Sequence, residues 1–181
     1  MIQKDIRDYF QKLANMKRFN NSIHIHEESV AEHSFFVTLY TYYLCKKVFN
    51  LSDETTYLAV VKALIHDVHE CYLSDIPHNV KKHSKDLENT CLKVEEKFNT
   101  IVFPEITEKL NNNKSKDLIE SIVNISDILS VKQFSEIEQM FGNGLFDKIL
   151  KKADKRLEDE YLQLSRSLIK LNKKGDDNAE K

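Results

Sequence analysis

A chain of 181 residues with 41% hydrophobic and 31% charged residues has the balance of an ordinary globular protein. Its 27 basic and 29 acidic residues leave a formal net charge of −2, which excludes a broad basic face for duplex nucleic acid but not a small anionic substrate. Three glycines and two prolines are too few for a turn-rich β protein, so an all-α chain is expected.

Ile2, Ile6, Tyr9, Phe10, Leu13 and Met16 recur at steps of three and four, a helical stripe that ends in Lys17 and Arg18. An irregular connector, "FNNSIHIHEE", follows. Ser29 and Glu32 then form a capping box, which launches a helix of about 19 residues with His33 just inside its start. A second start at Ser52-Asp53-Glu54 opens a helix expected to run to about Cys71, with Tyr57, Leu58, Val61, Leu64, Ile65 and Val68 on its buried face. Ser74-Asp75-Ile76-Pro77 reads as a turn that restarts a short helix. Leu87, Cys91, Val94, Phe98 and Ile101 mark another helix, broken or restarted at Pro104. Ser115 is expected to cap a helix that stops at Gly142, and a last stripe runs from Leu145 to Leu168. The expectation is one helical domain over residues 1–172, of about six or seven helices, with a disordered polar tail at 173–181. Cys45, Cys71 and Cys91 form no C-x-x-C pair. With no signal peptide, they read as reduced thiols of a cytoplasmic protein. No apolar run approaches the ~20 residues of a membrane span.

The stretch "ALIHDVHECYLSDIP" crowds His66, Asp67, His69, Glu70 and Asp75 together. On a helix, His66 and Glu70 share a face, and adjacent His66 and Asp67 can reach one ion at its edge. An uncompensated carboxylate among Ala63, Leu64, Ile65 and Val68 is costly, and a divalent cation is the simplest compensation. Two residues do not close a metal site. His33, and Asp127 between core-like Ile125 and Ile128, are the outside candidates.

The order His33, His66-Asp67, Asp127 resembles the HD-domain metal-dependent phosphohydrolases. The blocks "RF" at 18–19, "ESVAEHS" at 28–34, "HDVHECYLSDIPHNVK" at 66–81 and "ISDIL" at 125–129 resemble those of the YfbR-type 5′-deoxynucleotidases. The resemblance implies an HD-domain helical bundle and one divalent metal ion held by His33, His66, Asp67 and Asp127. Mixed imidazole and carboxylate ligands suit Mn²⁺, Co²⁺, Mg²⁺, Fe²⁺ or Zn²⁺ alike. It further implies that Glu70 moves the proton, that Asp75 lines the substrate side and that Arg18 and Lys81 face phosphate. Phe19 stands where the family usually has Trp, and Ser74 where it usually has Gly. His69 falls at a variable position of the pattern and is expected not to be a ligand. His24-Ile-His26 mimics a metal pair but reads as a surface loop.

The expected activity is therefore release of phosphate from deoxyribonucleoside 5′-monophosphates. The alternative within the class is a deoxynucleoside triphosphate triphosphohydrolase, with Lys81, Lys82, Lys114 and Lys116 as candidate further cations. The alternative outside it is a non-catalytic nucleotide-binding regulatory domain. The expected partners are a small nucleotide and a second copy of the chain. Family resemblance and the long apolar last stripe suggest a homodimer; no membrane or duplex nucleic acid is expected.

Overall fold

The Ser29–Glu32 capping box forms as the sequence predicts: the Ser29 hydroxyl accepts from the Glu32 amide at 3.1 Å, and the Glu32 carboxylate accepts from the Ser29 amide at 2.7 Å. The computed structural model describes residues 2–76, 78–81 and 83–176. Among these there is no strand, and seven α-helices of nine residues or more carry the fold. They are α1 (Ile2–Asn15), α2 (Val30–Tyr43), α3 (Asp53–Ile65), α6 (Lys85–Val102), α7 (Pro104–Asn112), α8 (Lys116–Met140) and α9 (Asp147–Asp176). Two single turns, α4 (Glu70–Leu73) and α5 (His78–Lys81), lie between α3 and α6. Pro77, the expected helix restart, and residues 177–181 of the expected tail lie outside the described residues; α9 itself runs through Asp176.

Two apolar clusters frame the site. The larger joins Val37 of α2, Leu58 and Ala63 of α3, Ile122, Ile125 and Ile128 of α8, and Ala153, Leu157 and Leu164 of α9. The smaller joins Leu13 of α1, Val30, Ile65, Val68, Cys71 and Phe98 of α6. The apolar flanks of His66, Asp67 and Glu70 thus sit in the second cluster, and those of Asp127 in the first. Hydrophobic burial places the polar residues at the seam.

Three details depart from expectation. The second helix ends in a π-turn over Leu44–Val48, where Leu44 and Cys45 turn into the core. Ser115 occupies the N-cap position of α8 without a side-chain cap; its own amide donates to the Asn113 side chain at 2.8 Å. The largest is that α3 stops at Ile65 and not near Cys71. Beyond it the chain tightens: Val68, Glu70, Cys71 and Tyr72 donate to the carbonyls three residues back, and the His66 ring bonds the Ala63 carbonyl at 2.7 Å. A side chain has taken the place of a helical amide there.

α8 ends as predicted at Gly142, in a left-handed turn at φ +88°. Gly142 donates to the Gln139 carbonyl and Asn143 to that of Glu138, a Schellman closure. Glu138, fully buried, is the anchor of the 23–26 connector. It accepts from the Ile25 and His26 amides at 2.8 and 2.7 Å and from the Asn143 side chain at 2.6 Å. Burial pushes its carboxyl up, but the donors from Ile25, Asn143 and His26 outweigh that and bring it down to about 2. This stabilisation is present in full above the ordinary 4.5 and is lost as pH falls toward 2. Glu138→Gln is expected to cost about 3 kcal/mol at pH 7. Urea unfolding should show the gap to wild type closing below pH 4.5; a gap independent of pH would contradict this role.

Candidate active site

Four polar residues from three parts of the chain converge at the seam. His33 enters from the first turn of α2, fully buried. Its Nε2 stands 3.1 Å from Asp127 Oδ1 and 3.7 Å from Asp67 Oδ2. His66 Nε2 stands 3.1 Å from the same Asp67 oxygen. Ligating atoms of His33, His66 and Asp127 all lie within 4.8 Å of one another. The convergence of His66 with Asp67 comes from the tight turn after α3 and not from one face of a continuous helix.

Both imidazoles are oriented from behind. His33 Nδ1 bonds the Ser130 hydroxyl at 3.0 Å, and His66 Nδ1 bonds the Ala63 carbonyl. Each Nε2 is buried without a hydrogen-bond partner among the described residues. Two buried, preoriented nitrogens whose nearest polar neighbours are carboxylate oxygens at 3.1 Å fit a divalent cation with nitrogen and oxygen ligands. Burial and the nearby Arg18 push His33 down to about 4, against Asp127 and Asp67. For His66, burial is outweighed by Asp67 and Asp127, and it is pushed up to about 9.

The other proposed positions surround a cavity of about 500 Å³ that includes Arg18, Phe19, Asp67, Glu70, Asp75, Lys81 and Asp127. Glu70 is buried. Its Oε1 accepts from Lys81 Nζ at 3.1 Å, and its Oε2 has no partner among the described residues. Burial and then Asp67 raise its carboxyl, Lys81 only partly opposes them, and it is pushed up to about 8. Asp75 accepts from the Phe19 backbone, and its carbonyl takes the Asn20 side chain at 3.2 Å, so it clamps the 18–20 turn. Arg18 donates to buried Glu28 at 2.8 Å, and paired backbone bonds between Met16–Arg18 and Glu28–Val30 carry it to the site. Phe19 stacks on Phe134 at 4.8 Å and meets Phe146 edge-on at 5.4 Å. It has φ +54°, an unusual conformation for a bulky residue.

Ser74 has φ +63° and ψ 166°, a region that favours glycine almost alone. That explains why glycine is usual before the aspartate. Ser74→Gly is expected to raise stability by about 1 kcal/mol, read as a melting temperature higher by about 3 °C. A lower melting temperature would contradict strain at this position.

His69 is buried but stands outside the group, its Nδ1 against the His66 carbonyl at 3.0 Å. His24 and His26 bond the Ser22 carbonyl and Glu138, respectively, and belong to no group of three or more metal-ligating side chains among the described residues. Lys116 lines a separate cavity between α3, α6, α7 and α8 and bonds Asn111, while Lys82 lies outside the described residues. Sequence reasoning did not single out Ser130, Glu138, Lys152 or Arg156. Arg156 Nη2 reaches Asp127 Oδ2 at 3.5 Å, and both α9 cations line the cavity. Glu138 lies on an amphipathic helix like many other acidic residues, and nothing near it in sequence points to the connector it anchors. Lys152 and Arg156 stand among Lys148, Lys151 and Lys155, where nothing sets them apart.

A helical bundle with a His, His-Asp, Asp cluster at its seam defines an HD-domain phosphohydrolase. A solved HD-domain phosphohydrolase from Listeria innocua is 28% identical, covers 92% of this chain and 86% of its own, and superposes with a TM-score of 0.67. A conserved hypothetical protein from Pyrococcus furiosus is 25% identical over 94% of this chain and 96% of its own, with a TM-score of 0.69. The fold is shared also by the cyanophage S-2L HD phosphohydrolase DatZ, solved with dA and one catalytic Zn²⁺ (17% identical, 91% and 96% covered, TM-score 0.59). No curated protein matches the chain. The family model of 5′-deoxynucleotidase YfbR-like proteins matches residues 7–170, and the chain belongs to that family of hydrolases.

Proposed function

We propose that this chain hydrolyses deoxyribonucleoside 5′-monophosphates to deoxynucleoside and orthophosphate. The observation that carries the reading is the pair of buried Nε2 atoms, each 3.1 Å from an oxygen of Asp127 or Asp67, the two aspartates lining a cavity of about 500 Å³. His33, His66, Asp67 and Asp127 would hold one divalent ion. Such an ion supplies polarisation of a phosphoryl oxygen and acidification of water near neutral pH. Arg18, held in place by Glu28, offsets charge on the phosphoryl oxygens during in-line displacement. Glu70, its carboxyl raised by burial and Asp67 and its Oε1 steadied by Lys81, serves as the general acid toward the leaving 5′ oxygen. Phe19 forms an apolar wall against the nucleoside, rigid because Phe134 and Phe146 back it. Asp75 holds that wall and Arg18 in register.

The dA and zinc ion of DatZ, a protein of the same fold, are consistent with a deoxynucleoside occupant and a metal here. The chain acts in the cytoplasm: its three cysteines are free thiols, and no described helix is long and apolar enough to cross a membrane. It works as a homodimer. Exposed apolar side chains suited to that contact stand on α9, at Leu162 and Ile169, and on α2, at Phe35, Leu39 and Tyr43.

Chromatography of the products from dAMP and dATP tests the reading. Deoxyadenosine with orthophosphate from dAMP is the expected result. Tripolyphosphate from dATP, with dAMP left intact, would replace it with the triphosphohydrolase alternative.

A further inference from the structure

α9 forms one wall of the cavity through Ile149, Lys152, Ala153 and Arg156. Ala153 is buried against α8, which fixes the helix's rotation and turns Lys152 and Arg156 to the open side. The two are one helical turn apart, so their charges can serve neighbouring oxygens of one anion.

The cavity holds four cations and four carboxylates: Arg18, Lys81, Lys152 and Arg156 against Asp67, Glu70, Asp75 and Asp127. Three of the cations are already engaged. Arg18 is tied to Glu28 at 2.8 Å and Lys81 to Glu70 at 3.1 Å, while Arg156 has only the 3.5 Å contact to Asp127. Lys152 has no ion pair among the described residues. Arg156 also stands beside the Asp127 oxygen Oδ2, while Oδ1 faces His33. An anion touching Arg156 is therefore adjacent to the His–Asp cluster.

We infer that Lys152 and Arg156 form a phosphate-binding edge of the active site, contributed by the last helix. Its ligand is the phosphate group of a phosphomonoester or the orthophosphate product. Lys152 supplies an uncommitted charge; Arg156 joins the phosphate to the Asp127 side of the cluster through its remaining N–H donors. The inference rests on the proposed phosphatase reading for its substrate, but not for its ligand chemistry.

Lys152→Met is the cleaner probe, because Lys152 has no carboxylate to leave unpaired and lies exposed. With manganese-loaded protein, Lys152→Met is expected to raise KM for dAMP and the Ki of orthophosphate by about ten-fold, the loss of one charge-assisted hydrogen bond. kcat should fall by less than KM rises, since the contact is made to the phosphate in ground and transition states alike, and inhibition by deoxyadenosine, which carries no phosphate, should be unchanged. Lys152→Arg should restore most of the affinity, and Lys152→Met/Arg156→Met should weaken phosphate further. Calorimetry with orthophosphate on the same proteins gives a readout independent of turnover. Equal orthophosphate affinity in wild type and Lys152→Met would overturn the inference. Absence of phosphate release from dAMP by wild type would instead overturn the monophosphate reading, and calorimetry would still decide the role of α9.

Discussion

Replacing Glu70 by alanine is expected to lower kcat for phosphate release by about 10²–10⁴-fold, the usual contribution of a positioned general acid or base. Its protein contacts explain the size of the effect. The side chain is buried at the cavity wall, one oxygen is held by Lys81, the other is buried without a partner among the described residues, and the carboxyl is pushed up to about 8. A buried carboxyl raised toward neutrality at the cavity wall is suited to exchanging a proton there. Removal should leave metal content near wild type, because the cluster's ligating atoms belong to other residues. Element analysis alongside single-turnover phosphate release separates the two properties. Turnover within two-fold of wild type would remove Glu70 from the proton role.

The second large effect concerns the cluster itself. Alanine at His66 or Asp127 is expected to abolish stoichiometric metal binding and to lower activity by at least about 10³-fold, since these residues would hold the ion that would supply charge stabilisation and an acidified water. Alanine at His69 should leave metal content intact. Its ring is directed to the His66 carbonyl and not toward the Nε2 atoms of His33 and His66. The contrast between two histidines three residues apart is the informative part. Loss of metal from His69→Ala with retention in His66→Ala would invert the assignment.

The all-α class and most helix starts were legible because they rest on local chemistry: few turn residues, the Ser29–Glu32 box, Pro104 opening α7 and Gly142 closing α8. The convergence of His33 with Asp67 and Asp127 was legible only through resemblance, because residues so far apart in the chain share no local signal. The end of α3 was not legible. Apolar spacing continues past Ile65, but the His66 ring bonds the Ala63 carbonyl and the chain tightens under tertiary constraint. Glu138 illustrates a different limit. Its neighbours looked like an ordinary amphipathic helix, and its partners, Ile25 and His26, lie in a connector whose path local pattern does not specify. Lys152 and Arg156 were hidden by composition, since a lysine-rich helix face reads as solvated surface until the cavity beside it is known.

The most direct test of the central claim is a metal titration of chelator-treated protein with dAMP as substrate. One of Mn²⁺, Co²⁺, Mg²⁺, Fe²⁺ or Zn²⁺ should restore coupled release of orthophosphate and deoxyadenosine in equal amounts, with the rate saturating at one ion per chain. Activity that survives complete chelation, or a fully loaded protein that releases no orthophosphate, would contradict a metal-dependent phosphomonoester hydrolase built on His33, His66, Asp67 and Asp127.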